Sequence, residues 1–93
     1  MKVIWSVRAR NELRAIRTYI ARDSEFYASR MVGRIINRIE TAASSPASGH
    51  PVHEYSEAPL KEVHEHPYRI IYLLTADSLQ VVTIIHFKQQ LAD

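Results

Sequence analysis

Apolar residues fall at two different spacings along the 93 residues of this chain. In the first half the period is helical. Ala9, Leu13, Ile16 and Ile20 recur at steps of four, three and four, which places them on one face of an α-helix. Ser6 stands in N-cap position for that helix, its hydroxyl able to accept from an early helical N–H, and the pattern fades near Arg22. Ala28, Val32, Ile35, Ile39 and Ala42 repeat the spacing behind a second cap at Asp23 or Ser24. Two amphipathic helices joined by so short a break pack as an antiparallel hairpin. Gly33, inside the second helix, costs up to ~1 kcal/mol and is expected to mark close helix packing.

The second half changes to strand patterning. Residues 1–5 already form a short β-branched strand ahead of the helices. Residues 44–51, Ser-Ser-Pro-Ala-Ser-Gly-His-Pro, read as a loop. A short strand is expected at 52–57 and a weaker one at 60–66, punctuated by Pro67. Residues 68–75 and 79–87 are strongly β-prone and flank the turn residues Ala76-Asp77-Ser78, so they form a hairpin. The order is β-α-α-β-β-β. It defines a single α+β domain over 1–93, with a two-helix hairpin packed on one face of a small antiparallel-rich sheet.

A hairpin loop centred between Asp77 and Ser78 pairs residues whose numbers sum to 155. Ile71 then faces Ile84, Leu73 faces Val82, and Arg69 faces His86; on the other face Tyr68 meets Phe87, Ile70 meets Ile85, and Leu74 meets Val81. Directly opposed side chains have Cβ atoms about 4.5–5.5 Å apart, so Arg69 and His86 are expected together at the open end. Both faces of the hairpin are apolar, whereas helices cover only one. Ile71, Leu73, Val82 and Ile84, or the alternate set, are left in need of cover, and a protein partner is expected there.

Composition narrows the chemistry. With no cysteine, disulfide frameworks, thiolate metal sites and cysteine nucleophiles are all excluded. No apolar run approaches the ~18 residues of a membrane span. Met1 leads straight into a strand-like segment, so no leader peptide is expected and the cytoplasm is the expected compartment. The net charge of +2 conceals an asymmetry: residues 1–40 carry nine Lys/Arg against four Asp/Glu, and residues 41–93 carry three against six. Arg10, Arg14 and Arg17 form one helical stripe, Arg30, Arg34 and Arg38 another. Solvated helix faces explain single arginines; the asymmetry points to an anionic partner. His64 and His66 would share one strand face, and His50 and His53 lie in or near the loop. With too few further ligands for a closed site, no metal and no cofactor is expected.

The residues resemble the RelE/ParE superfamily of type II toxin–antitoxin toxins, in its ParE-like, plasmid-stabilisation branch. The resemblance runs from Val3-Ile4-Trp5-Ser6 through Ala9, Leu13, Ile16 and Tyr19-Ile20 to Pro46, Gly49-His50-Pro51 and Leu60-Lys61-Glu62-Val63. It is most specific in Tyr68-Arg69-Ile70-Ile71-Tyr72 and Ile84-Ile85-His86. It implies a small toxin neutralised by a co-encoded antitoxin, whose partly acidic, disordered tail folds onto it. Arg10, Arg14, Arg17, Ile71, Leu73, Val82 and Ile84 are the expected antitoxin-binding residues.

Function divides within that superfamily. ParE-like members are associated with DNA gyrase poisoning, and His86, Phe87 and Lys88 are the expected target-binding residues. RelE-like members cut messenger RNA on the ribosome without metal. That chemistry needs a base for the 2′-hydroxyl and cations for the phosphorane. The resemblance would make Arg69 the phosphate-stabilising residue, His86 the base and Lys61 or Lys88 a second cation. RelE-type toxins carry more basic residues on the sheet and often a C-terminal tyrosine, where this chain has Phe87. The gyrase reading is therefore favoured, with an inactive antitoxin-binding homologue as a third. Direct DNA binding by this chain is not expected, for it has no helix-turn-helix spacing.

Overall fold

The computed structural model describes residues 1–89. Strand β1 (Lys2–Trp5) leads into helices α1 (Val7–Ala21) and α2 (Glu25–Ser44). A 3₁₀ turn at Pro46–Ser48 follows, then the two-residue strand β2 (His50–Pro51), a second 3₁₀ turn at His53–Tyr55, and strands β3 (Leu60–Glu65), β4 (Tyr68–Leu74) and β5 (Ser78–His86). The five strands form one sheet in the order β1-β5-β4-β3-β2. β1 runs parallel to β5; every other neighbour is antiparallel.

Both helices start where their hydroxyls predict. The Ser6 side chain accepts from Ala9 N–H at 2.9 Å and also donates to the Val82 carbonyl at 2.9 Å, so one residue caps α1 and ties it to β5. Ser24 does the same for α2, accepting from Tyr27 N–H at 3.2 Å. The helical stripes then meet one face of the sheet. Ala9, Ile35, Ile39, Ala42 and Ala43 pack on Val63, Ile70, Tyr72, Leu79, Val81 and Ile84, with Leu13 and Ile16 at the margin. Each fully buried aliphatic side chain of this kind contributes roughly 1.5–3 kcal/mol.

Three expectations are corrected here. The segment 52–57 is not a strand. The strand falls earlier, at His50–Pro51, because Val52 is drawn into a small core and the chain then turns through His53–Tyr55. Gly33 marks no close packing: a Cβ built there meets nothing within 4 Å. The tight glycine is Gly49, whose added Cβ would overlap the Tyr72 hydroxyl.

The third correction is the register. Tyr68 faces His86, Arg69 faces Ile85, Ile70 faces Ile84 and Ile71 faces Thr83, whereas Tyr72 faces Val81, Leu73 faces Gln80 and Leu74 faces Leu79. The shift lies between Ile71 and Tyr72 on β4, leaving Val82 as the extra residue of a β-bulge on β5. Its carbonyl is the one that Ser6 holds. Just beyond the bulge, Glu12 of α1 accepts from the Thr83 hydroxyl at 2.7 Å and from Ile84 N–H at 3.0 Å, covering β5 where β1 has ended. Because faces alternate along a strand, the one-residue slip puts Ile71 and Ile84 on opposite faces instead of side by side.

Ile84 accordingly belongs to the helix-covered core. Ile71 is also fully buried, under the chain's own β2–β3 segment: Val52, Tyr55 and Leu60 close over Ile71 and Ile85. The sheet face that seemed to need a partner is thus capped from within, and neither Ile71 nor Ile84 is open to an antitoxin. Leu73 and Val82 are half-buried.

Candidate interaction site

Arg69 has 8% exposure and its guanidinium is surrounded by carboxylates. Nε donates to Glu62 Oε1 at 2.9 Å and Nη2 to Glu62 Oε2 at 2.7 Å. Nη1 and Nη2 donate to Glu54 Oε2 and Oε1 at 2.8 and 2.7 Å. These are two fork-to-fork pairs on one cation, the strongest geometry available to arginine. Local structure sets each partner. Glu62 faces Ile71 across the β3–β4 ladder, two residues from Arg69 and on the same face. Glu54 sits on the 3₁₀ turn that closes over that face.

The electrostatics follow from the packing. Burial works to raise the Glu62 carboxyl, but hydrogen bonds from Arg69 and His64 outweigh it and hold the group below the usual carboxylate range. Hydrogen bonds to Glu54 and then Glu62 push the Arg69 guanidinium up, so it stays charged. His64, opposite Arg69 on β3, has Nε2 at 2.6 Å from Glu62 Oε1. An ionised carboxylate only accepts, so that nitrogen carries the proton.

This arrangement removes the expected pairing of Arg69 with His86. Arg69 faces Ile85, and His86 faces Tyr68 on the other side of the sheet, its ring 5.9 Å from the Tyr68 ring. Lys61 pairs with Tyr72 and so also lies on the face opposite Arg69. The residues suggested for phosphodiester chemistry do not converge. Among the described residues no three His, Asp or Glu side chains are arranged to hold a metal.

The expected target-binding residues form a tight turn. Phe87 N–H donates to the Pro67 carbonyl at 2.9 Å, Lys88 N–H to His86 Nδ1 at 3.0 Å, and His86 N–H to Gln89 Oε1 at 2.8 Å. The Phe87 ring, on a residue 42% exposed, rests edge-on against His64 at 4.7 Å and lies 5.6 Å from His66. His64 in turn stacks on His50 at 5.6 Å. Phe87, His64 and His50 rim an open bowl of about 360 Å³ with the Arg69 cluster at its side.

The larger exposed apolar surface lies on the helices. Tyr19, Phe26 and Tyr27 are each about two-thirds exposed where α1 meets α2. Arginines sit against these rings: Arg22 is 5.9 Å from the Tyr19 centroid and Arg30 5.7 Å from that of Phe26, within cation–π range. A groove of about 380 Å³ runs between Ile20, Phe26, Tyr27, Arg30, Met31 and Arg34. Arg10, Arg14 and Arg17 are exposed along α1, with Arg17 bonded to Glu25 at 2.9 Å. Each of these three aromatics falls off the apolar stripe of its helix. That mismatch was the available signal for an outward-facing surface.

The described residues form a small α+β domain with an arginine-rich helical hairpin and exposed aromatic residues where its two helices meet. Comparison with known proteins gives it a family. Residues 3–91 match the family model described as ParE toxin of type II toxin-antitoxin system, parDE, and the chain belongs to that family. A relative from Sinorhizobium fredii (strain NBRC 101917 / NGR234), titled "Putative toxin Y4kP", is 33% identical over 91 residues, covering 96% of this chain and 91% of that protein. A solved structure titled "Chromosomal ParDE TA system from P. aeruginosa" shares the fold with a TM-score of 0.75 over 92% of this chain and 95% of the other, at 19% identity.

Proposed function

We propose that this ParE-family toxin acts in the cytoplasm by binding and poisoning DNA gyrase, and that a cognate antitoxin holds it inactive. The observation that carries the choice of binding over catalysis is the state of Arg69. Its guanidinium spends four of its five N–H donors on Glu54 and Glu62, which neutralise the charge a phosphorane would need, and His86 is on the other side of the sheet. Ribosome-dependent messenger RNA cleavage therefore finds no support in the geometry. The exposed turn at His86, Phe87 and Lys88 is the proposed target contact.

The antitoxin is proposed to engage the helical hairpin. Arg10, Arg14 and Arg17 supply the charge that meets acidic residues, and Tyr19, Phe26 and Tyr27 supply apolar area. Ile71 and Ile84 contribute only through the fold. Expression without antitoxin, with supercoiling by purified gyrase and transcript integrity followed in parallel, tests the reading. Blocked supercoiling with intact transcripts supports it. Codon-phased cuts would replace it with the nuclease, and no growth effect would mark an inactive, antitoxin-binding homologue.

A further inference from the structure

We propose that His64 is the positioning residue of the target-binding turn, holding the Phe87 ring in a fixed, outward presentation by anchoring it to the buried Glu62–Arg69 pair. The inference rests on the reading of Phe87 as a target contact.

Two sets of restraints act on Phe87, and they are separable. Its backbone is fixed by the N–H bond to the Pro67 carbonyl, in which the His64 side chain takes no part. Among the described residues its ring belongs to neither hydrophobic core, and its aromatic contacts are with His64 and His66. The nearer is His64, with centroids 4.7 Å apart and planes inclined at 69°, the edge-to-face arrangement that aromatic pairs prefer.

His64 is itself held from behind. Its Nε2 lies 2.6 Å from Glu62 Oε1, and the Glu62 carboxylate is clamped by Nε and Nη2 of Arg69. The rigid interior is thus carried to the surface in one chain of contacts: Arg69, Glu62, His64, Phe87. His64 itself is 38% exposed on its side chain and fills no core volume. A residue with an exposed side chain that joins the most constrained ion pair of the fold to an exposed aromatic is placed to pre-organise that aromatic. A surface ring already held in its bound conformation loses less entropy when a partner closes on it.

The test uses the full chain in three variants. His64→Gln keeps a donor for Glu62 but removes the ring beside Phe87. His64→Phe keeps a ring there and gives up the donor. Phe87→Ala removes the presented group. Inhibition of purified DNA gyrase is titrated, thermal melting is followed, and the Phe87 ring is observed by fluorine NMR with 4-fluorophenylalanine at position 87. Expected for His64→Gln is a near-parental melting point, a fluorine resonance moved toward the free, averaged position, and a loss of potency of roughly three- to tenfold, the cost of re-freezing one side chain. His64→Phe should recover at least half of that loss. An unchanged fluorine resonance in His64→Gln overturns the proposal whether or not the chain inhibits gyrase, as does a potency loss that merely tracks lost stability. If Phe87→Ala inhibits as well as the parent, the target-contact reading fails by itself, and the fluorine spectrum still decides whether His64 positions the ring.

Discussion

Glu54 and Arg69 are joined by two parallel hydrogen bonds of 2.8 and 2.7 Å across fifteen positions of sequence. Because Glu62 takes the other side of the same guanidinium, Arg69 stitches a 3₁₀ turn, β3 and β4 together over one face of the sheet. Cutting Arg69 back leaves two carboxylates in a largely buried setting without their cation. Arg69→Ala is expected to cost ~3–5 kcal/mol, and Arg69→Lys to recover little, since an ammonium cannot serve two forks. Denaturant melts of both variants check this. A lysine variant as stable as the parent would contradict the geometry.

Acid should loosen the same cluster. The Glu62 carboxyl is held below its ordinary value of 4.5, so the folded state favours the ionised form more than the unfolded chain does. Its contribution is complete above about 4.5 and is lost as pH falls through the lowered folded value. Glu62→Gln should be less stable near neutrality, and its stability should change less than the parent's as pH falls below 4.5. Melting curves recorded from pH 7 down to pH 3 would show the two lines converging.

The two glycines should respond in opposite directions. Gly33 faces open solvent in the middle of α2, so Gly33→Ala should stabilise by up to ~1 kcal/mol. Gly49 lies against the Tyr72 hydroxyl, and Tyr72 is fully buried with its hydroxyl donating to the Pro46 carbonyl at 3.2 Å. Gly49→Ala should displace that ring and destabilise by ~1–3 kcal/mol, as overpacking does. Equal melting temperatures for the two variants would refute this contrast.

Ser6 serves two partners with one hydroxyl, so its loss should exceed that of an ordinary cap. Ser6→Ala is expected to cost ~1–2 kcal/mol, with faster amide exchange in the first turn of α1 and around the Val82 bulge. Exchange confined to the helix would mean that the tie to β5 contributes nothing.

For the antitoxin, reversing Arg10, Arg14 and Arg17 to Glu should slow association and flatten its salt dependence while leaving the fold intact. Ile71→Ala and Ile84→Ala should act otherwise, each lowering stability by ~2–5 kcal/mol with any loss of binding following from that. Stopped-flow association at several ionic strengths, beside melts of the same proteins, separates the two classes.

The helices, the order of elements and the resemblance to ParE toxins were all legible in the chain, because the apolar period and the Ser6 and Ser24 caps act locally. The site was less so. The alternation in residues 68–87 identifies a hairpin but carries no sign of an extra residue, and the Val82 bulge depends on Ser6 and Glu12, more than seventy positions away. One missed residue was enough to draw Arg69 and His86 onto the same face. Glu62 lies on the strand next to Arg69, but the second carboxylate, Glu54, arrives from a segment whose conformation is decided by burying Val52. Such a contact has no local signature.

The sheet order also sets when this molecule comes into being. β1 pairs in the sheet with β5, seventy-six positions later from Lys2 to Ser78, and it lies at the opposite end of the sheet from β2. During synthesis β1 and the helical hairpin emerge first, but the strand that completes their side of the sheet is made last among the described elements. The turn bearing Phe87 follows directly from that strand. Until β5 is made, β1 has no neighbour in the sheet. The sheet therefore closes through its most sequence-distant pairing, the kind of contact that forms late in folding.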